Sequence, residues 1–230
     1  TFILEGDHVM DNWVLKHFVR AEDHNRLYFP GPPNTYKPNG PAPWNQLFMV
    51  TNGLIRLTEC HLLLNDDQER IKKYDAIVQP NLNWFFSSLR PKTSKAGTPV
   101  YEWDYALDQR REDANHFAYD AEGLWIAYHS GRYGIRYEDL VPFANTYTDV
   151  ILAIVQPNGK YAGMVDGASK TGNSGGYNFV RDEYFYLADF RPDQFDRMVE
   201  INRKAGKIAD FLPGTARLLW QKYRRNNGNK

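Results

Sequence analysis

The chain has 230 residues, enough for one large domain with a buried core; its single cysteine, Cys60, excludes a disulfide-stapled miniprotein and a cysteine-built metal cluster. Its 28 Lys and Arg balance 28 Asp and Glu, so nothing draws the chain as a whole to nucleic acid or to an anionic membrane. With 15 Tyr, 13 Phe and 6 Trp, aromatics reach 15% of the residues, a composition that suits ligands presenting both apolar and hydrogen-bonding faces, as sugar rings do.

Residues 7–22 place Met10, Trp13, Val14, His17 and Phe18 at helical spacing and predict an amphipathic helix. Residues 30–43 hold six of the 13 prolines, which forbids a helix, while Tyr28, Phe29, Tyr36 and Trp44 predict that this loop is ordered. From Trp44 to Leu64 the pattern is a helix apolar over more than one face, hence buried on several sides. A turn at 65–67 joins it to a second helix running through Ile71, Tyr74 and Ile77 to Leu89, kinked at Pro80, and the two read as a helical hairpin. After a loop over about 90–105 come a helix from about 110 to 129, a turn at 130–134, and a helix over 137–155. A loop carrying Gly159, Gly163, Gly167, Gly172, Gly175 and Gly176 precedes a helix over 177–190, and Pro192 and Pro213 suit the first turns of two last helices. Strand signals are scarce; only 160–165 offers a short edge.

These elements predict an all-α chain of about eight helices in antiparallel pairs, forming one domain over residues 1–230. A chain that begins at Thr1 reads as lacking an N-terminal part. Long loops after alternate helices argue for an α/α toroid, complete or partial, over a solenoid with short connections. Its functional face is expected where the helices starting near Trp44, Arg110 and Tyr177 present their N-terminal ends. No uninterrupted apolar run reaches the roughly 18 residues of a membrane span and no signal-peptide pattern opens the chain.

Chemistry concentrates at Arg110, Arg111, Glu112, Asp113, Ala114, Asn115 and His116, followed by Asp120. Glu112 and His116 stand at i and i+4, and a carboxylate one turn from an imidazole orients it and raises its basicity, as a catalytic base requires. The structural alternative is that both acids merely complement a helix N-terminus while His116 packs inside. Trp44, Asn45 and Gln46 open one helix and Tyr177, Asn178 and Arg181 another, polar for buried helices; helix capping, or an Arg181 pair with Asp182 or Glu183, would also explain them. Asn52 sits in an otherwise apolar helix and needs a partner, from backbone or ligand. Tyr105 and Tyr161 stand in the loops beside these helices. No HExxH, paired-cysteine or calcium-loop spacing occurs, so neither metal nor cofactor is expected, and no GxSxG, Walker or dinucleotide motif supports hydrolase, NTPase or Rossmann readings.

The stretches REDANHFAYD (111–120), GRYGIRYEDLVPFANTY (131–147) and YAGMVDG (161–167) resemble the carbohydrate-active α/α-toroid proteins, particularly alginate and glucuronan lyases, over roughly residues 44–190. Those toroids carry more helices than are readable here, as a chain lacking an N-terminal part, or an open toroid, would show. The resemblance implies β-elimination on a uronic-acid polymer by a secreted or periplasmic enzyme, with an anionic polysaccharide as the partner and no nucleic acid or membrane. The reaction needs the substrate carboxylate neutralised, for which Asn52, Asn45, Gln46, Arg181 and Glu112 are candidates. It also needs a base at C5, His116 or a tyrosinate, and an acid at O4, among Tyr177, Tyr161 and Tyr105. Catalytic roles thus fall to His116, Glu112, Tyr177, Asn52 and Arg181, and substrate binding to Trp44, Asn45, Gln46, Tyr105, Asn115 and Tyr161. Two alternatives stand beside the lyase: an inverting glycoside hydrolase pairing Glu112 or Asp113 with Asp166 or Asp182, and a glycan-binding protein without catalysis.

Overall fold

The computed structural model describes residues 2–34, 36–153, 161–168 and 180–227. Helices hold 62% of the chain and the strands among the described residues form short two-stranded pairs, so the fold class is all-α. The chain divides into two compact units: one of Thr1–Leu89, Asp104–Arg110 and Ile126–Gly134, the other of Arg90–Trp103, Arg111–Trp125 and Ile135–Lys230.

In the first unit, α1 (Phe2–Val9), a π-helical stretch (Met10–Leu15) and α2 (Lys16–Phe18) form the opening helix. It is shorter than the 7–22 pattern predicts at its far end, because Val19 turns extended and β1 (Val19–Arg20) pairs antiparallel with β2 (Arg26–Leu27). Trp13 faces solvent, 63% exposed, against the amphipathic expectation; the Met10 side chain instead reaches Gly53 of the next long helix. The proline-rich loop is ordered, as expected: Phe29 N–H donates to the Gly40 carbonyl at 2.8 Å and Tyr28 bridges to Pro41.

Helices α3 (Trp44–Leu64) and α4 (Gln68–Ser87) form the hairpin that the apolar pattern predicts. Asn65 ends α3 in the left-handed conformation, and Asp67 caps α4 by accepting the Arg70 N–H. Trp44 meets Trp84 and Phe85 edge-on at 5.1 and 5.5 Å, and Leu47, Leu54, Tyr74, Val78 and Leu82 complete a dry seam. By length and composition α3 could cross a membrane. Its seam is instead filled by α4, which explains an apolar surface wider than one face. Pro80 deprives the Ala76 carbonyl of its helical donor, and the Asn25 side chain donates to that carbonyl at 3.1 Å. Asn81 secures the same hairpin, accepting the Leu27 N–H at 3.0 Å. The N-terminal helix is tied down by Asp7, which accepts from Tyr74 Oη at 2.7 Å and meets His61 Nε2 at 3.1 Å, while His61 Nδ1 contacts Asp66 at 2.6 Å.

In the second unit, the stretch expected to be loop contains a hairpin, β3 (Arg90–Thr93) against β4 (Pro99–Glu102), turned at Gly97 with φ 82°. Helix α5 (Ala114–His129) starts four residues later than the pattern around Arg110 suggests. The cause is backbone pairing, with Glu112 N–H donating to the Trp103 carbonyl, Val165 N–H to the Glu112 carbonyl, and Ala114 N–H to the Gly163 carbonyl. Helix α6 (Tyr137–Asn145) passes into a π-helical stretch (Thr146–Ile151), and residues 154–160 lie outside the described ones. The predicted 177–190 helix is a 3-10 helix over Asp182–Asp189; its expected start at Tyr177 and Asn178 lies outside the described residues, as do Gly159, Gly172, Gly175 and Gly176. Pro192 opens a 3-10 turn (Pro192–Gln194) that leads into α7 (Phe195–Lys204), and Pro213 stands in the first turn of α8 (Leu212–Asn227) as expected. The core is aromatic: Tyr147 stacks on Tyr184 at 3.8 Å, and Phe117 lies edge-on to Trp103 and Tyr184 at 4.7 and 5.2 Å.

Candidate functional site

Asp113 is the N-cap of α5. Its Oδ1 accepts the backbone N–H groups of Asn115 and His116, both at 3.0 Å, closing donors that an α-helix leaves open at its start. Its Oδ2 lies 2.9 Å from His116 Nδ1. Asp113 Oδ2 is placed to accept from Nδ1–H, a contact that fixes the orientation of the ring. The His116 side chain is 26% exposed, whereas Glu112 is fully buried. The spacing argument for Glu112 therefore requires correction. Glu112 precedes the helix instead of sharing a face with His116; its Oε1 accepts the Asp113 N–H at 2.8 Å and stands 3.9 Å from His116 Nδ1. The acid that holds the imidazole is Asp113.

Behind this dyad lies Asp120, fully buried, accepting the Trp103 indole N–H at 3.2 Å and within hydrogen-bonding range of Glu112. Burial, reinforced by repulsion from Asp113, pushes the Asp120 carboxyl well above the usual carboxylate range against the lowering pull of its hydrogen bonds to Trp103 and Glu112. The floor of the site thus carries less negative charge than its sequence suggests.

Arg181 donates to Asn115 Oδ1 at 2.7 Å, grips Glu183 in a two-point ion pair at 2.7 and 3.0 Å, and lies 4.8 Å from the Tyr119 ring. The pairing with Glu183 is the structural alternative foreseen for it; the contact with Asn115 places it beside the start of α5. Tyr161 is half-buried in the strand-like segment that docks on residues 112–114. Tyr147 and Tyr184 are fully buried, and burial pushes both hydroxyls upward, so neither suits an acid that must reach solvent-borne substrate. Tyr177 lies outside the described residues.

The remaining candidates belong to the first unit. Trp44 donates its backbone N–H to the Tyr105 carbonyl at 3.2 Å, and the Tyr105 ring is flanked by Lys37 and Arg110 at 5.0 and 4.9 Å. Trp44 Nε1, Asn45 Oδ1 and Asn52 Oδ1 are buried with no hydrogen-bond partner among the described residues. Buried polar atoms are rarely left so; the two amide oxygens call for a donor such as a hydroxyl, and the indole N–H for an acceptor. Gln46 is half-buried at the same helix start.

Glu112, Asp113 and His116 are also a set whose ligand atoms lie within 4.8 Å of one another, close enough to hold a divalent cation. Such an ion would have to displace the Nδ1 proton from between Asp113 and His116, and Asp113 Oδ1 is already spent on the helix cap.

No protein-family model, curated protein or solved structure matches this chain. Function is therefore argued from the residues. Sequence reasoning placed His116, Glu112, Asn115 and Arg181 near one another but missed the pivotal part of Asp113. The signal was present, since an Asp directly before an apolar-periodic run is an N-cap signature, and the residue three places on is then set to meet it.

Proposed function

We propose that this protein is a secreted or periplasmic polysaccharide lyase, its helical hairpins belonging to an α/α toroid, that cleaves a uronic-acid polymer of the glucuronan or alginate kind by β-elimination. The observation that supports it is a partly exposed imidazole at a helix N-terminus, its Nδ1 held by a carboxylate, with a buried carboxyl, Asp120, that burial holds well above the usual carboxylate range. His116 Nε2 takes the C5 proton; the C–H electron pair becomes the C4=C5 double bond as the C4–O4 bond breaks. O4 leaves with a proton from a tyrosine, for which Tyr161 is the partly exposed candidate in the unit that holds His116. Asp113 is a positioning residue, and the buried Glu112 backs it. The α5 N-terminus, with Arg181 beside it, favours the substrate carboxylate, whose charge would otherwise oppose the carbanion forming at C5. Gln46 and Asn52, half-buried on the first unit, are assigned to glycan contact there; Trp44, Asn45 and Tyr105, expected from the sequence to bind substrate, are buried in that unit's own packing and are not.

A panel of glucuronan, alginate and neutral glucan tests this. The expected result is a rise in ultraviolet absorbance, from the unsaturated uronate end, on one of the anionic polymers only. New reducing ends without that absorbance would make the protein a hydrolase, and binding without turnover a glycan-binding protein.

A further inference from the structure

The second unit contains a cavity of about 460 Å³ between the β3–β4 hairpin, the π-helical stretch after α6 and the segment that docks on residues 112–114. That is within the range of roughly 300–1,000 Å³ usual for small-molecule sites. Its walls are of two kinds. Val100, Val150, Ala153 and Val165 make an apolar side. Glu102, Asp149 and Asp166 bring three carboxylates, each already facing an arginine: Arg111 lies 3.6 Å from Glu102 and 3.5 Å from Asp166, and Arg191 is 2.9 Å from Asp149. Lys92 and Lys95 stand at the rim with no acidic partner among the described residues.

This combination selects a ligand. A simple anion such as phosphate would find the lysines but leave the apolar side and the carboxylate acceptors without a partner. A neutral sugar would find acceptors for its hydroxyls and an apolar wall for its ring but would leave both ammonium groups unanswered. A ring with an apolar face, several hydroxyl donors and one carboxylate meets all three features. We propose that this cavity is a binding subsite for a hexuronate residue, its carboxylate at Lys92 and Lys95, its hydroxyls on Glu102 and Asp166, and its ring against Val100 and Val150. The identification of the sugar rests on the proposed function; the charge pattern does not. Through Val165, whose N–H bonds the Glu112 carbonyl, the cavity wall is part of the frame that supports His116. The subsite extends substrate recognition beyond the reacting residue.

Isothermal titration with a glucuronate oligosaccharide, a neutral glucose oligosaccharide of equal length and inorganic phosphate tests it. The native protein should bind the uronate oligomer above the other two. Lys92→Ala with Lys95→Ala should weaken that binding about tenfold, the combined worth of two partly exposed ion pairs. Ala153→Phe should weaken it by filling the cavity without touching charge. Uronate binding that both variants leave unchanged would overturn the subsite even if the lyase assay succeeds. Binding lost in both variants would uphold it even if no polymer is cleaved, and then the reaction assignment alone would fall. A native protein that binds all three ligands alike, or none, overturns it outright.

Discussion

His61 and His116 both lean on carboxylates, and they do opposite work. His61 is 3% exposed, with Asp66 on one ring nitrogen and Asp7 on the other. Although burial works against the charged ring, the hydrogen bonds from Asp66 and Asp7 raise its pKa above the usual histidine range. Both nitrogens are consumed in pinning α1 to the α3–α4 hairpin. His116 meets its carboxylate through Nδ1 and keeps a quarter of its side chain in solvent. The same two functional groups thus make a clamp when carboxylates meet both nitrogens of a buried ring, and a candidate base when the ring held by a carboxylate stays partly in solvent.

The sharpest way to break this contrast is to remove each ring. His116→Ala should remain folded and lose about a hundred- to ten-thousand-fold in turnover, read from unsaturated product; an undiminished rate in a folded variant would pass the base to a tyrosine. His61→Ala should do the reverse, costing about 1–3 kcal/mol in urea denaturation by leaving the buried Asp7 with Tyr74 and Arg70 but without the imidazole, with the folded fraction as active as before. The pH dependence sharpens it. Because the folded pKa of His61 is raised, its contribution is complete below about pH 6.5, the unfolded value, and disappears as pH climbs through the folded value. The stability gap between native and His61→Ala proteins should therefore narrow in alkaline buffer.

Asp113→Asn separates two jobs of one side chain. Asparagine caps a helix about as well, so stability should change by less than about 1 kcal/mol, while turnover should fall roughly a hundredfold because an amide does not hold the Nδ1 proton as a carboxylate does. Equal losses in both measurements would reduce Asp113 to a cap. The smallest effect belongs to Asp120→Asn. A carboxyl whose folded pKa is raised binds more protons folded than unfolded and so costs stability as pH rises above about 3.9. The variant should match the native protein in acid and gain on it toward neutral pH; a constant deficit at every pH would mean that Asp120 is ionised in the fold.

The periodicity of the apolar residues carried far in the first unit. Helix α3 has the bounds its pattern predicts, Trp44–Leu64, because a helix buried on several sides writes its length directly into composition. The second unit was less legible because its boundaries are set by pairing between distant segments. Nothing local to Glu112 and Asp113 says that Trp103 and residues 163–165 will hold them extended, and nothing in the RPKT stretch, with its proline and charges, announces strand β3. The chemistry behaved likewise. His116 stood out as an imidazole among acids, whereas the choice of Asp113 over Glu112 depended on where the helix begins. The raised carboxyl of Asp120 depended on a fold that buries it with Glu112 and Asp113, which nothing local in the sequence announces.

The notch that Pro80 cuts in α4 has a further consequence, for the order in which the first unit comes apart. A short hairpin near a chain end ordinarily frays at almost no cost. Here, opening the β1–β2 hairpin would leave the Ala76 carbonyl without the Asn25 amide that replaces its helical donor, and would strip Asn81 of the Leu27 N–H. The hairpin and the middle of α4 are therefore one cooperative element, with the proline serving as the keyed join between them. Amide exchange should show it directly: the Leu27 N–H should persist as long as the interior amides of α4, far longer than a two-residue strand would by itself.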